Sequence, residues 1–183
     1  MPDDIRDLVE RARRGDRTAF EQLYDRFEQS IFRLCYHLLG NEDEAADATQ
    51  ETFMQVYGNL PRLRHAAAFS AYLRGAAANQ CRYRRRKQRW LPWSSVDDDA
   101  MEPADDAPPQ AGLERDELQS QVRRALLKLS PQHREVVVMH HLEGLPLADI
   151  GRALGLPVGT VKSRLGRGRE HLERLLTPYL GTE

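Results

Sequence analysis

Residues 147–168 have the sequence LADIGRALGLPVGTVKSRLGRG, and this stretch decides the fold of the second half of the chain. Leu147, Ile150 and Leu154 recur at helical spacing, so they predict a short amphipathic helix. Gly155 can take the positive-φ conformation that a tight turn requires. A short helix, a glycine turn and a second helix in succession are typical of a helix-turn-helix motif.

The second helix of this motif is expected to begin at Pro157, because proline suits the first helical turn. Val158, Val161 and Leu165 are spaced to point inward. The polar and basic side chains between them form an outward surface that suits the major groove of DNA. These side chains are Thr160, Lys162, Ser163, Arg164 and Arg167. Two packed surface helices with a solvated basic face are the alternative interpretation.

The first half of the chain also shows helical periodicity. Apolar residues recur at threes and fours over 16–39, and Gly40 is a suitable helix end. Asn41 followed by Glu44 resembles a capping box, so it predicts the start of a second helix. An alanine-rich third helix is expected over about 67–89, and it ends in a dense basic run.

Residues 90–112 differ in composition, with many acidic residues and prolines that interrupt any periodicity. Such a segment buries too little apolar surface to offset its ordering entropy, which predicts a flexible linker. Beyond it, Ser130 and Pro131 indicate another helix start. We therefore predict an all-α chain of two small helical domains, 1–89 and 113–183, joined by a flexible acidic linker.

Composition excludes several classes of protein. The net charge of -1 gives no argument for nucleic acid by itself. The two cysteines, Cys35 and Cys81, have no metal-ligand spacing, so we expect reduced thiols packed as small hydrophobic groups. The absence of a long apolar run favours a cytoplasmic protein without membrane insertion. No constellation indicates an enzyme, and we expect no catalytic residue, metal or cofactor.

Two separate motifs carry a family resemblance. Residues 147–165, with the sequence LSPQHREVVVM at 129–139, resemble the promoter-reading domain of the extracytoplasmic-function (ECF) sigma factors, a branch of the sigma-70 family. The sequence DATQETFMQVY at 47–57 resembles the polymerase-docking helix of that family. The stretch from Phe69 to Asn79, with the arginine cluster after it, resembles the promoter-melting helix of the same family.

The resemblance implies a promoter-specificity subunit. Such a protein binds core RNA polymerase, recognises the minus-thirty-five and minus-ten elements of promoter DNA, and initiates transcription of a specific regulon. An anti-sigma factor is a further implied partner. The alternative is a stand-alone dimeric helix-turn-helix regulator, which needs neither a second basic and aromatic helix nor a long acidic linker.

An acidic row lies on the predicted second helix. Asp43, Asp47 and Glu51 stand at i, i+4 and i+8, so they share one face. This row suits a basic protein partner, although an ordinary exposed helix face shows the same pattern. The resemblance assigns these acids, with Gln50, to polymerase docking.

The basic run at the end of the third predicted helix suits phosphate binding. It comprises Arg82, Arg84, Arg85, Arg86, Lys87 and Arg89. Tyr72, Asn79 and Tyr83 lie near one face of the same helix, where aromatic rings beside cations form a platform for unstacked bases. Packing of Tyr72 in the core is the alternative. By resemblance, this helix captures flipped bases of the non-template strand at the minus-ten element.

Overall fold

The computed structural model describes residues 2–90 and 113–179, and all regular structure within these ranges is helical. The helices of these ranges are α1 (Pro2–Arg13), α2 (Arg17–Leu39), α3 (Glu42–Asn59), α4 (Phe69–Trp90), α5 (Leu113–Lys128), α6 (Pro131–Val137), α7 (Leu147–Leu154) and α8 (Val158–Leu176). The predicted all-α class is therefore confirmed. None of these helices is long and apolar enough to span a membrane.

Local signals fix the ends of the first helices. The side chain of Asp16 accepts a hydrogen bond from the amide of Ala19 at 3.1 Å, and α2 ends at Gly40 with φ 80°. The side-chain oxygen of Asn41 then accepts from the amide of Glu44 at 2.9 Å and opens α3. These caps satisfy backbone groups that have no partner inside a helix, and they confirm the predicted boundaries.

The first half buries the predicted apolar faces. Ala45, Ala48, Phe53 and Val56 of α3 are all buried, and α3 packs against both α2 and α4. Cys35 is also buried, as is Cys81, and both thiols are free, as predicted. The hydrogen bond that the Cys81 thiol donates to Cys35, together with burial, raises the pKa of Cys81, so this thiol stays protonated at neutral pH.

The helix-turn-helix forms as predicted, with one correction. Gly155 adopts φ 66° between α7 and α8, and Val161 and Leu165 are buried. Val158, which the spacing placed inward, is 49% exposed. Val158 is the first residue of α8, and only one side of the helix is covered there. The helical spacing therefore predicted more burial for Val158 than the structure shows.

A second correction concerns the start of α6. Ser130 occupies the N-cap position and Pro131 follows it, as predicted, but the Ser130 hydroxyl caps no backbone amide. It instead lies 3.0 Å from Nδ1 of His133. The proline ring, which lacks an amide hydrogen and fixes φ, is therefore the local feature that favours the start of this helix.

The two halves pack against each other, which the sequence patterns did not predict. Helix α4 lies along α7, and α2 lies along α5 and α6. One cluster of buried apolar side chains continues from the first half into the second. The predicted linker over 90–112 lies almost entirely outside the described residues. In consequence α4, the predicted promoter-melting helix, faces the second half of the chain.

Candidate nucleic-acid and protein interfaces

The outer surface of α8 is held in place by close helix contacts. A Cβ on Gly168 would lie 2.6 Å from a methyl group of Val137, so α8 approaches α6 at van der Waals distance. A Cβ on Gly151 would lie 2.8 Å from the carbonyl oxygen of Leu156, so the turn before α8 is equally tight. The motif therefore presents its second helix on a closely packed support.

The structure places the predicted recognition residues on one accessible surface. Lys162, Ser163 and Arg167 are exposed, and Thr160 and Arg164 are partly covered. Burial, together with the charges of Arg167 and Arg164, lowers the pKa of His133, which lies on α6. Positive charge is thus concentrated where α6 meets α8, and this arrangement suits a polyanion.

The basic run on α4 is partly occupied by carboxylates of the chain itself. Arg82 donates from Nε to Glu135 at 2.6 Å and from Nη2 at 3.0 Å, so the pair is bidentate. Arg84 lies 3.3 Å from a carboxylate oxygen of Asp47 and 2.8 Å from one of Glu51. Arg86 and Lys87 are exposed, and Arg85 is partly buried.

The three residues of the predicted base platform separate into two environments. Tyr72 is half-buried and packs against the hydrophobic core. Tyr83 is 56% exposed and lines an open cavity of about 390 Å³ together with Gln55, Asn79 and Gln80. Gln80 donates to Gln55 at 2.9 Å, and neither of these two amides was singled out from the sequence.

The predicted docking acids lie on an accessible face of α3. Asp43, Asp47, Gln50 and Glu51 are all exposed. The same helix exposes 67% of Met54 and 44% of Tyr57, which sequence analysis did not select. Both residues lie outside the buried apolar face of α3. An apolar or aromatic residue at such a position could have been selected from the sequence. Methionine and aromatic residues are enriched at protein interfaces.

Both halves of the chain match known family models. The model for Sigma-70 region 2 matches residues 23–91, and that for Sigma-70, region 4, matches residues 119–172. The ECF RNA polymerase sigma factor SigW of Bacillus subtilis is 33% identical over 180 residues, covering 94% of this chain and 96% of the relative. The chain belongs to the ECF RNA polymerase sigma factors.

Other relatives of this sigma factor agree in length and fold. The RNA polymerase sigma-H factor of Pseudomonas aeruginosa is 32% identical over 181 residues, which is 94% of each chain. The solved structure of CnrH in complex with the cytosolic domain of CnrY superposes with a TM-score of 0.73 at 26% identity, covering 96% of this chain and 99% of that one. The sequence-based prediction of the family is confirmed.

The family matches cover the helices that carry the candidate interfaces. Helices α3 and α4 fall within the region 2 match, and α6 and α7 fall within the region 4 match together with most of α8. Within the described residues, no three His, Cys, Asp or Glu side chains are placed to hold a metal ion.

Proposed function

We propose that this ECF sigma factor acts in the cytoplasm as the promoter-specificity subunit of RNA polymerase, and that it performs no chemistry of its own. Residues 1–89 form the docking and melting domain, and residues 113–183 form the upstream-reading domain, with 90–112 as the connection. The proposal rests on one observation: a single chain carries an acidic and apolar face on α3 and basic surfaces on α4 and α8.

Polymerase docking is assigned to the exposed face of α3. The acids Asp43, Asp47 and Glu51, with Gln50, supply charge and hydrogen-bonding groups for a basic partner. Exposed Met54 and Tyr57, further along the helix, supply apolar area that association would bury. We add these two residues to the docking surface because charge alone contributes specificity and association rate more than affinity.

Minus-ten recognition is assigned to α4. Asn79 and exposed Tyr83 border the cavity beside α3, where a stacked or flipped base finds an aromatic ring and amide groups. The basic residues Arg82, Arg84, Arg85, Arg86 and Lys87 are assigned to the phosphates. Tyr72 is assigned a supporting role, since it packs on the core beneath the same helix.

Minus-thirty-five recognition is assigned to α8. Its outward surface carries exposed Lys162, Ser163 and Arg167 and partly covered Thr160 and Arg164. Arginine can contact guanine through two hydrogen bonds in the major groove, and the other side chains suit phosphates or single base contacts. An anti-sigma factor is a further proposed partner, as the family resemblance implies; the solved relative CnrH forms a complex with the cytosolic domain of CnrY.

In vitro transcription with core polymerase on a genomic promoter library tests this function. We expect promoter-dependent transcripts that require both the chain and core polymerase. Sequence-specific DNA binding by a dimer without polymerase, together with no effect on core polymerase, would instead favour a stand-alone regulator.

A further inference from the structure

The positive surface of α8 continues beyond the residues assigned to the minus-thirty-five element. Arg164, Arg167 and His171 stand at i, i+3 and i+7 on α8, so they lie on one face of the helix. Arg167 is exposed, and Arg164 and His171 are partly covered. This face, which we call the Arg164–His171 face, therefore carries titratable or charged groups for one further helical turn past Arg167.

A histidine of α6 lies against the same face. A Cβ on Gly168 would lie 3.4 Å from the Cβ of His133, so α8 passes the His133 side chain at contact distance. All three groups of the Arg164–His171 face act electrostatically on the His133 ring. Two arginines and two histidines from two helices therefore meet at one place on the surface of the second half.

The His133 ring is surrounded by positive charge. Burial, and then the charges of Arg167, Arg164 and His171, lower its pKa. Within the described residues no carboxylate opposes this effect, and the other helices packed on α6 place no charged group against the ring. The ring is therefore neutral at neutral pH. An anion that neutralises the neighbouring arginines would remove the repulsion and favour the protonated ring.

Ser130 can bind the ring in either protonation state. Its hydroxyl lies 3.0 Å from Nδ1 of His133 and caps no backbone amide. The hydroxyl can donate to Nδ1 of the neutral ring and can accept from Nδ1 of the protonated ring. In both arrangements Nε2 carries a hydrogen, which is the donor that a phosphate oxygen requires. Protonation of the ring therefore needs only a rotation of the serine hydroxyl.

The position of this cluster along α8 favours a backbone phosphate as the anion. His171 stands 13 positions after Val158, the first residue of α8, which is about 20 Å along the helix axis. The major groove of DNA is about 12 Å wide, and recognition helices contact base edges through their N-terminal residues. A helix that enters the groove with its first turns therefore reaches the phosphates at the groove edge before His171.

We propose that a DNA backbone phosphate at this edge binds between His133 of α6 and the Arg164–His171 face of α8, and that His133 takes up a proton from solvent when it binds. The inference rests on the proposed promoter function. Because the bound state holds one more proton, the affinity for promoter DNA rises as the pH falls. The contact adds affinity without sequence preference, since every base pair presents the same phosphates.

The test measures binding of the reconstituted holoenzyme to a labelled duplex that carries only the upstream element of a promoter recovered from the library. His133→Gln retains the Cβ and a hydrogen-bond donor but cannot be protonated. The slope of log affinity against log salt should steepen between pH 8 and pH 6 by about 0.9 more in the wild type than in His133→Gln, because one further phosphate is neutralised. At fixed salt the wild type should gain about fivefold in affinity over this variant at pH 6 and almost nothing at pH 8.

Two other variants complete the test. His133→Lys supplies a permanent cation, so its salt slope should be steep at both pH values. His65→Gln is the matched control, because His65 is an exposed histidine of the first half, and it should behave as the wild type. Circular dichroism should show unchanged helix content in all three variants.

A wild-type slope that steepens no more than that of His133→Gln would overturn the proposal. A His133→Lys slope at pH 8 equal to that of the wild type would overturn it independently, without reliance on the glutamine variant. Transcription separates the two claims. A wild-type holoenzyme that transcribes from the promoter under either outcome retains the proposed function and loses only the phosphate site, whereas absence of promoter-dependent transcription would overturn the function itself.

Discussion

Replacing Arg134 with methionine tests the buried cation that joins α2, α5 and α6. The Arg134 side chain is almost completely buried, and it donates to four backbone carbonyl groups. Burial, with a smaller contribution from Arg85, lowers its pKa to about 9, so the group remains charged at neutral pH. Methionine retains most of the apolar volume and removes every donor.

The magnitude follows from two opposing effects. Four hydrogen bonds to a charged donor contribute about 1.5–3 kcal/mol each, or about 6–12 kcal/mol together. Removing the guanidinium also removes the cost of burying a charge, which is several kcal/mol. We therefore expect Arg134→Met to lower the free energy of unfolding by about 3–5 kcal/mol.

Urea unfolding followed by circular dichroism measures this loss. With an m value of about 2 kcal/mol/M, the midpoint should fall by about 1.5–2.5 M. Arg169→Met is the matched control, because Arg169 is exposed on α8, and its change should stay within about 0.5 kcal/mol. A loss below about 1 kcal/mol for Arg134→Met would refute the reasoning, since the carbonyl groups would then not depend on this cation.

Three further predictions address DNA recognition, polymerase docking and pH dependence. Arg164→Ala should weaken minus-thirty-five recognition by about 1–3 kcal/mol, and unchanged promoter preference in transcription assays with the fold retained would remove Arg164 from the recognition set. Reversing Asp47 and Glu51 to lysine should reduce core binding at least about a hundredfold in a pull-down, because like charges then face a basic partner. The change also removes both pairs with Arg84, so circular dichroism must show intact helix content; undiminished binding by the folded variant would contradict the docking assignment. Burial lowers the pKa of His37, so protonation favours the unfolded chain and stability should fall as pH drops below about 6.5. His37→Phe should flatten that part of the profile of urea midpoint against pH, and an equally steep profile would exclude His37 as the cause.

The helix-turn-helix could be predicted from sequence because its signals are local. Gly155 occupies the positive-φ turn, and the caps at Asn41 and Gly40 act within four residues of the groups they bind. Residues 47–57 and 147–165 also retain enough family pattern to indicate a sigma factor. For the same reason, the candidate recognition surface on α8 follows from helical spacing once the helix boundaries are known.

Individual site residues were less predictable where their surroundings come from distant elements. Tyr72 and Tyr83 share one helix and one residue type, yet Tyr72 packs on the core and Tyr83 is 56% exposed. Which of them is covered depends on the helices that lie against α4. Exposed Met54 on α3 was missed because the periodicity of the buried face gives no weight to an apolar residue outside it.

The sequence by itself determined helices α2, α3 and α4, the caps at Gly40 and Asn41, the helix-turn-helix and the family. Tertiary structure alone decided that Arg82 pairs with Glu135 and that Arg134 caps the ends of two helices. It also decided that α7 approaches α4 closely at Gly75, where a side chain would overlap the backbone of α7. The physical reason is the separation along the chain between the residues that interact. A cap or an amphipathic face is set by residues within one or two helical turns, whereas an ion pair between residues 53 positions apart depends on how helices from both halves cross. The spacing of residues along the chain does not indicate how the helices cross. Which charged residues pair is therefore known only from the packed structure.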